Sequence, residues 1–188
     1  GDYPKLKVVV GHIEKLLINQ HLFTEELVFA LNTTLSIYYY LVNDNIKKAK
    51  DFLVYSRGIN STNFNHQLLI KNAITLGIMY RHLGEYQQSK DYLKHAITLS
   101  GKETNLYKSS ALTALAITYN SLGDYKKAEN LFLDAIKINS KIFDSNNIRN
   151  AWSLSNLASN YISQTKYEDA NAILTDLLIK FSDDHYSQ

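Results

Sequence analysis

The sequence has no cysteine and a single proline, Pro4, among its 188 residues. A chain without cysteine has no disulfide framework, no thiolate metal site and no cysteine nucleophile. One proline and seven glycines are too few for the many turns that join short strands in all-β folds. No apolar run approaches the roughly 20 residues that a membrane-spanning helix needs. These absences favour a helical protein that does not enter a membrane, and we expect it to be cytoplasmic.

The charge is also small and mixed. Lysine and arginine together number 20, aspartate and glutamate 18, and the two signs are interleaved along the chain, so the formal net charge is +2. That balance does not favour a nucleic-acid-binding face. Apolar residues make up 45% of the chain, which is typical of a globular protein rather than a disordered one.

No pattern of catalytic or metal-binding residues is present. The six histidines include no pair at the i, i+4 spacing of a helical metal site, and no phosphate-binding glycine loop or GxSxG nucleophile motif occurs. We therefore predict that the protein is not an enzyme, with no catalytic residues, no metal and no cofactor.

Four segments of the chain resemble one another. They are NDNIKKAKDFL (43–53), LGEYQQSKDYL (83–93), LGDYKKAENLF (122–132) and QTKYEDANAIL (164–174), with turns spaced 40, 39 and 42 residues apart. Each has a polar or turn-forming start, then a large apolar residue, a small residue and another apolar residue at helical spacing. A further amphipathic stretch precedes each turn. The repeating unit is therefore helix, tight turn, helix.

The stretch before each turn has its own recurring positions. Aligning on the turn gives Ala73, Leu76, Gly77 and Tyr80 in the second copy; Leu112, Leu115, Ala116 and Tyr119 in the third; Leu154, Leu157, Ala158 and Tyr161 in the fourth; and Thr33, Ser36, Ile37 and Tyr40 in the first. The small residue allows the two helices of a hairpin to approach closely. A single hairpin of this kind cannot bury its outer face, so neighbouring hairpins must stack.

These positions resemble the tetratricopeptide repeat (TPR), most closely in the second and third copies. The resemblance implies an all-α fold, a right-handed superhelix of stacked antiparallel helix hairpins with about nine helices. This sequence departs from the usual pattern in three ways. Its spacing exceeds the usual period of about 34 residues, the closing proline is missing, and threonine replaces the turn glycine in the fourth copy.

We expect a single domain over residues 1–188. Its predicted parts are an N-terminal capping helix (4–22), repeat 1 (24–60), repeat 2 (61–101), repeat 3 (102–140), repeat 4 (144–181) and a tail (182–188). The last hairpin keeps the apolar pattern that inner hairpins use to receive a neighbour. We therefore expect either a further helix or a homodimer through the C-terminal hairpin.

The first helix of each hairpin lines the inside of such a superhelix. The residues left on that helix, once the core positions are fixed, predict a peptide-binding concave face with amides, hydroxyls, isoleucines, two cations and the only tryptophan. These residues are Tyr38, Lys71, Ile74, Ile78, Arg81, Thr113, Ile117, Asn120, Trp152, Ser155, Asn156 and Ser159. The amide of Asn120 could donate to and accept from a peptide backbone. Lys71 and Arg81 could bind a carboxylate.

The long repeats also resemble the sensor domains of bacterial peptide-pheromone receptors, the RRNPP group with its PlcR- and Rgg-like regulators. That resemblance implies a short signalling peptide as ligand, dimers, and DNA binding only through a helix-turn-helix domain outside this chain. The start at Gly1 and Asp2 rather than at methionine is typical of a cleaved tag and predicts that residues are missing before it. The alternatives are a scaffold or chaperone that binds an extended segment of a larger protein, or a pure assembly module.

Overall fold

The computed structural model describes residues 3–42, 45–57, 65–101, 105–143 and 147–182. These residues form nine α-helices and one short 3-10 helix, and they contain no β-strand, so the all-α prediction is confirmed. The helices are α1 (Tyr3–Ile18), α2 (Glu25–Leu41), α3 (Ile46–Arg57), α4 (His66–His82), α5 (Tyr86–Leu99), α6 (Leu106–Ser121), α7 (Tyr125–Ile142), α8 (Ile148–Ser163) and α9 (Tyr167–Ser182), with the 3-10 turn at Gln20–Leu22. Residues 58–64, at the predicted boundary between repeats 1 and 2, and residues 183–188 of the predicted tail lie outside the described residues.

The helices pack as four consecutive hairpins. The pairs α2–α3, α4–α5, α6–α7 and α8–α9 each pack along their length, and each second helix also contacts the first helix of the next hairpin. Helix α1 packs against α2 at the N-terminal end of the stack. This is the predicted solenoid of stacked helix hairpins.

Each first helix begins at a side chain that caps it. The oxygens of Thr24, Asn65, Asn105 and Asn147 accept hydrogen bonds from backbone N–H groups two or three residues further on. Such caps satisfy amides that have no partner within the helix, and each is worth about 1 kcal/mol. They fix where the first helices start, and therefore which of their residues point inward.

The close approach of the two helices in a hairpin depends on the predicted small residues. A Cβ atom built on Gly77 would overlap the side chain of Leu93, which is fully buried. Ala116 and Ala158 occupy the equivalent place in the later hairpins and are fully buried as well. Small residues at these positions therefore let the hairpins close.

The tight turns of the last three hairpins each place one residue in the left-handed region of backbone conformation. Gly84 and Gly123 have φ of +75° and +77°, and Thr165 has φ of +60° at the same place in the fourth hairpin. A residue with a Cβ is strained there, by about 1–2 kcal/mol. The threonine in the fourth copy keeps the turn at a cost in stability.

The first repeat lies one residue out of the predicted register. In three hairpins the last tyrosine of the first helix accepts a hydrogen bond from the N–H five residues on, as Tyr80 does from Glu85 at 2.8 Å. In the first hairpin the acceptor is Tyr39, not the predicted Tyr40, and the donor is Asn45, six residues on, at 2.8 Å. The first turn is thus one residue longer.

The small position of the first repeat moves with that tyrosine. It is Ser36, with no exposed surface, whereas the predicted Ile37 is 39% exposed. The hydroxyl of Ser36 points at the Sδ atom of Met79 in the next first helix, 3.8 Å away. The first repeat therefore follows the same plan as the others, counted from Ser36 and Tyr39.

The last helix leaves apolar side chains uncovered. Leu178 is 70% exposed and Ile179 63% exposed, although Leu177 in the same helix is buried. The predicted homodimer through this hairpin stays a prediction.

Candidate functional site: the inner face of the first helices

The first helices of successive hairpins contact one another directly. Helix α2 contacts α4, α4 contacts α6, and α6 contacts α8. Helices that approach one another from repeat to repeat lie on the inside of a curved stack. We call the exposed side of these four helices the inner face. Two rows of equivalent residues define it: Ile37, Ile78, Ile117 and Ser159, and, three residues further on, Tyr40, Arg81, Asn120 and Ile162.

Most of the predicted binding residues reach the surface. Lys71, Trp152, Ser155 and Ser159 are exposed, and Trp152 shows 51% of its surface. Ile78, Arg81, Ile117, Asn120 and Asn156 are half-buried. Asn156 donates to the carbonyl of Trp152 at 2.8 Å, which leaves its own amide oxygen for another partner. These side chains are placed where a ligand could contact them, and their role in binding stays a prediction.

Three of the predicted residues are not available to a ligand. Tyr38 is buried against the edge of Tyr39, with ring centroids 5.2 Å apart. The prediction that it faces a ligand is wrong because the sequence alignment places α2 one residue late. Ile74 is 9% exposed and packs in the core between α4 and α6. Thr113 is 1% exposed and donates its hydroxyl to the carbonyl of Ser109 at 3.0 Å. Ile74 and Thr113 are covered because adjacent first helices approach closely.

The corrected register adds two inner-face residues that the sequence reading missed. Ile37 takes the place predicted for Tyr38, and Tyr40 stands in the row of Arg81 and Asn120. The sequence feature that indicates this shift of register is the longer polar stretch in the first turn. That stretch does not show on which side of the turn the extra residue lies.

An amide network fixes the orientation of Asn120. Its Oδ1 accepts from Nδ2 of Asn160 at 2.9 Å, and Nε2 of Gln164 donates to Oδ1 of Asn160 at 2.6 Å. The contact with Asn160 uses one of the two lone pairs of the Asn120 Oδ1, so Asn120 keeps its N–H donors and one acceptor position for a ligand. Its contact with a peptide backbone stays a prediction.

A polar cluster joins α2 to α4 near the C-terminal ends of both helices. Nη2 of Arg81 donates to Nε2 of His82 at 2.8 Å, and the hydroxyl of Tyr40 lies 2.8 Å from the same nitrogen. Burial, and next the charge of Arg81, lowers the pKa of His82, so the folded state disfavours the protonated imidazole. Burial also lowers the pKa of Arg81.

Arg81 has unused hydrogen-bonding capacity in this cluster. Its Nε is buried without a hydrogen-bond partner. Among the residues that the structure describes, no carboxylate lies within 4.0 Å of its guanidinium. A half-buried cation with neither an acid nor a full set of acceptors is unusual, since such groups are normally paired.

A cleft of about 470 Å³ opens between the N-terminal parts of α2 and α4. Its apolar floor is made by Leu27, Ala30 and Leu68, and Lys71 and Glu26 stand at its rim. Glu26 is engaged by the backbone N–H of Asn65 at 3.2 Å. The cleft lies beside the N-terminal parts of α2 and α4, and the Arg81 cluster lies near the C-terminal ends of the same two helices.

The described residues show neither a metal site nor a membrane-spanning helix. No three of their His, Asp or Glu side chains come together closely enough to hold a metal ion. No helix among them is both long enough and apolar enough to cross a membrane.

The family is shown by comparison with known sequences. The sequence model of the tetratricopeptide repeat matches residues 67–141 and 107–178, which together make up more than half of the chain. The chain therefore belongs to the tetratricopeptide repeat family, a class of helical protein-interaction modules. A comparison with curated proteins finds no significant match.

Solved structures of the same fold include proteins of different roles. A point variant of the TPR-like repeats of a putative kinesin light chain from Podosopora anserina superposes with a TM-score of 0.80 at 18% identity, over 98% of this chain and 91% of that one. The apo form of RapI superposes with a TM-score of 0.76 at 15% identity, over 97% of this chain and 50% of RapI. A Rap protein complexed with Competence and Sporulation Factor gives 0.76 at 13% identity, over 93% and 48%. This chain thus spans about half the length of the Rap proteins. At these identities the likeness shows the fold alone.

Proposed function

We propose that this protein is the sensor domain of a bacterial transcriptional regulator and binds a short signalling peptide on its inner face. The observation that carries the proposal is the set of available polar and apolar groups along one side of the first helices. Ile37, Ile78 and Ile117 provide apolar contacts at regular intervals, and the adjacent Arg81 and Asn120 provide hydrogen-bond donors. An extended peptide is recognised by this combination of alternating apolar contacts and main-chain hydrogen bonds.

The likeness to the Rap proteins supports a signalling role. One of them was solved with Competence and Sporulation Factor bound, and its fold matches nearly the whole of this chain. The regulator role predicts further that the natural polypeptide contains a helix-turn-helix domain of about 60–80 residues outside this chain. The reading frame of the gene tests that part independently of any binding experiment.

A second candidate is a scaffold that binds a segment of a larger protein. The kinesin light chain repeats favour it, because this chain matches almost the full length of that one as well. The two candidates share the inner face but differ in the length of the ligand.

A thermal-shift screen with pools of random peptides of 5–10 residues tests the first candidate. A pool that contains a ligand at about 100 times its dissociation constant should stabilise the protein by about 2.7 kcal/mol. Emission of the exposed Trp152 reports in parallel whether the ligand reaches the fourth repeat. A screen without any shift overturns the short-peptide function, and cross-linking to longer protein segments then tests the second candidate.

Two variants of the first hairpin separate the inner face from the rest of the surface. Ile37 on α2 and Val54 on α3 are similarly exposed, at 39% and 44%, but only Ile37 belongs to the inner face. We expect Ile37→Asn to weaken the response to an active pool and Val54→Asn to leave it unchanged. Equal effects of the two variants contradict binding at the inner face.

A further inference from the structure

Acidic residues are absent from the first helices of repeats 2, 3 and 4. The chain has 18 aspartates and glutamates, but none lies in α4, α6 or α8. The same three helices contain four cations, Lys71, Arg81, Lys108 and Arg149. The second helices carry both signs, for example Lys94 and Asp91 in α5. The formally charged side chains of α4, α6 and α8 are therefore all positive, whereas α2, the first helix of repeat 1, carries Glu25 and Glu26. A surface of one sign on these three helices favours a ligand of negative charge.

The four cations are not equally available. The Nζ of Lys108 donates to the carbonyl of Gly101 at 2.9 Å, and the guanidinium of Arg149 lies 5.9 Å from the ring centre of Phe143. Lys71 is exposed, with its Nζ 5.6 Å from the ring centre of Tyr107 and without an ion pair among the described residues. Arg81 differs from the other three cations in that its Nε is buried without a hydrogen-bond partner. Two of the four cations, Lys71 and Arg81, lie on α4.

Among the residues that the structure describes, no carboxylate lies within 4.0 Å of the Arg81 guanidinium. Its neighbours in the cluster are the imidazole of His82 and the hydroxyl of Tyr40. The C-terminal end of α4 supplies only about half an elementary charge of partial negative potential. The N–H groups of Asn120, in the same row on the next first helix, are further hydrogen-bond donors.

From these observations we propose that the ligand carries a carboxylate that pairs with Arg81, and that its chain extends along α4 towards Lys71 and the apolar cleft. This rests on the proposed peptide-binding function and names the chemistry of the peptide. Arginine binds carboxylates through two parallel hydrogen bonds, and such a pair is stronger where water is partly excluded. The carboxylate belongs either to an acidic side chain or to the peptide's C-terminus.

The spacing of the two cations sets the length of the contact. Lys71 and Arg81 are ten residues apart on one helix, which corresponds to about 15 Å. An extended peptide rises about 3.3 Å per residue, so four or five residues span that distance. A peptide that also bears an apolar side chain can place it in the cleft floored by Leu27 and Leu68.

Four fluorescein-labelled pools of seven-residue peptides, with matched apolar content, test the proposal by fluorescence anisotropy. One pool contains acidic residues and a C-terminal amide, the second is neutral with a free C-terminus, the third is neutral with an amide, and the fourth contains lysine with an amide. We expect the first or the second pool to bind at least tenfold more tightly than the third and fourth, and the stronger of the two identifies the source of the carboxylate. Binding should weaken as salt is raised.

Charge-removing variants locate the site. We expect Arg81→Gln and Lys71→Gln each to weaken binding of the preferred pool several-fold or more, with the larger loss for Arg81→Gln. Lys94→Gln removes the same charge from the exposed surface of α5 and should bind like the parent protein. Because Lys71 is exposed, its variant tests the site even if Arg81→Gln reduces stability.

The outcomes separate this inference from the function on which it rests. If the amidated neutral or lysine pools bind as well as the others, or if neither variant weakens binding, the carboxylate site is overturned while peptide binding stands. If no pool binds at all, the proposed function and the inference both fail.

Discussion

The Nζ of Lys166 lies 3.2 Å from Oε2 of Glu129 and joins the third hairpin to the fourth. The equivalent pair between the first and second hairpins has the opposite order, with Nζ of Lys50 2.8 Å from Oε1 of Glu85. Stacking the fourth hairpin on the first would bring Lys50 and Lys166 together at this position, and stacking the second on the third would bring Glu129 and Glu85 together. The two ion pairs therefore help to specify the order of the repeats, in addition to whatever stability they add.

Reversing the charges of the Lys166–Glu129 pair tests whether these two side chains interact directly. Lys166→Glu places two carboxylates together and should lower the free energy of unfolding by about 1–2 kcal/mol, between the values for exposed and buried pairs. The double variant Glu129→Lys with Lys166→Glu should recover much of that loss. Urea denaturation measures both. If the double variant loses as much free energy of unfolding as the two single variants lose together, the two side chains do not interact directly.

The same pair predicts how stability depends on pH. Burial acts to raise the pKa of Glu129, but hydrogen bonds from Lys166 and Gln164 and the charges of Lys166 and Lys126 outweigh it, so the pKa is lowered from 4.5. The folded pKa is thus below the unfolded one. The stabilisation is present above about pH 4.5 and is lost as pH falls through the folded value.

Urea denaturation between pH 3 and pH 7 measures this loss. We expect Glu129→Gln to be less stable than the parent protein at pH 7 and to show a smaller decrease in acid. Glu168→Gln removes an exposed carboxylate at the start of α9 and serves as the control. Parallel pH curves for the parent protein and Glu129→Gln would show that Glu129 does not contribute.

Two glycines on helices should respond in opposite ways to alanine. Gly77→Ala introduces a Cβ that overlaps Leu93 and should destabilise the protein by about 1–3 kcal/mol. Gly11→Ala, on α1, meets nothing within 4 Å and should stabilise it by up to about 1 kcal/mol through helix propensity. Denaturation midpoints measure both changes. If both variants were stabilised, the close contact between α4 and α5 would not be as the structure shows it.

The threonine in the fourth turn offers a stabilising substitution. Thr165 has φ of +60°, where a β-branched residue is strained, and glycine occupies the matching place at Gly123. We expect Thr165→Gly to raise the free energy of unfolding by about 1 kcal/mol, net of the added freedom of the unfolded chain. Gly123→Thr should lower it by a similar amount. Stabilities that move in the same direction in these two variants would contradict the strain argument.

The repeat plan could be read from the sequence wherever the turn has a constant length. The small residue and the tyrosine recur at fixed offsets in the last three copies, and the structure has them in place. In the first copy the extra residue between Tyr39 and Asn45 shifts the alignment, because an offset counted back across a turn inherits any change in its length. Because of that shift, the sequence alignment assigns Tyr38 instead of Ile37 to the inner face.

Other features of the inner face depend on tertiary distances that no local pattern encodes. The burial of Ile74 and Thr113 follows from how closely neighbouring first helices approach. The contact between Tyr40 and His82 joins residues 42 positions apart, and the amide pair of Asn120 and Asn160 joins residues 40 apart. Helical periodicity places each of these side chains on a face of its own helix, but it does not give the partner across the interface.

The imidazole of His82 should report on the charge of Arg81. Burial and the adjacent guanidinium lower the pKa of His82 from 6.5, so the folded state resists its protonation. The unfolded chain then binds more protons below about pH 6.5, and stability should fall as pH decreases through that region. NMR titration of the His82 ring measures the pKa directly. We expect Arg81→Gln to raise it and Lys94→Gln to leave it unchanged.

A carboxylate bound at Arg81 should raise the pKa of His82, as the substitution Arg81→Gln should. A negative charge next to the guanidinium offsets its repulsion of a protonated imidazole, so the pKa of His82 should rise when an acidic peptide binds. By linkage, that peptide should bind more tightly as pH falls through the range in which His82 titrates. An unchanged His82 titration at saturating peptide, together with binding that does not depend on pH between 5 and 7, would place the peptide's carboxylate elsewhere on the inner face.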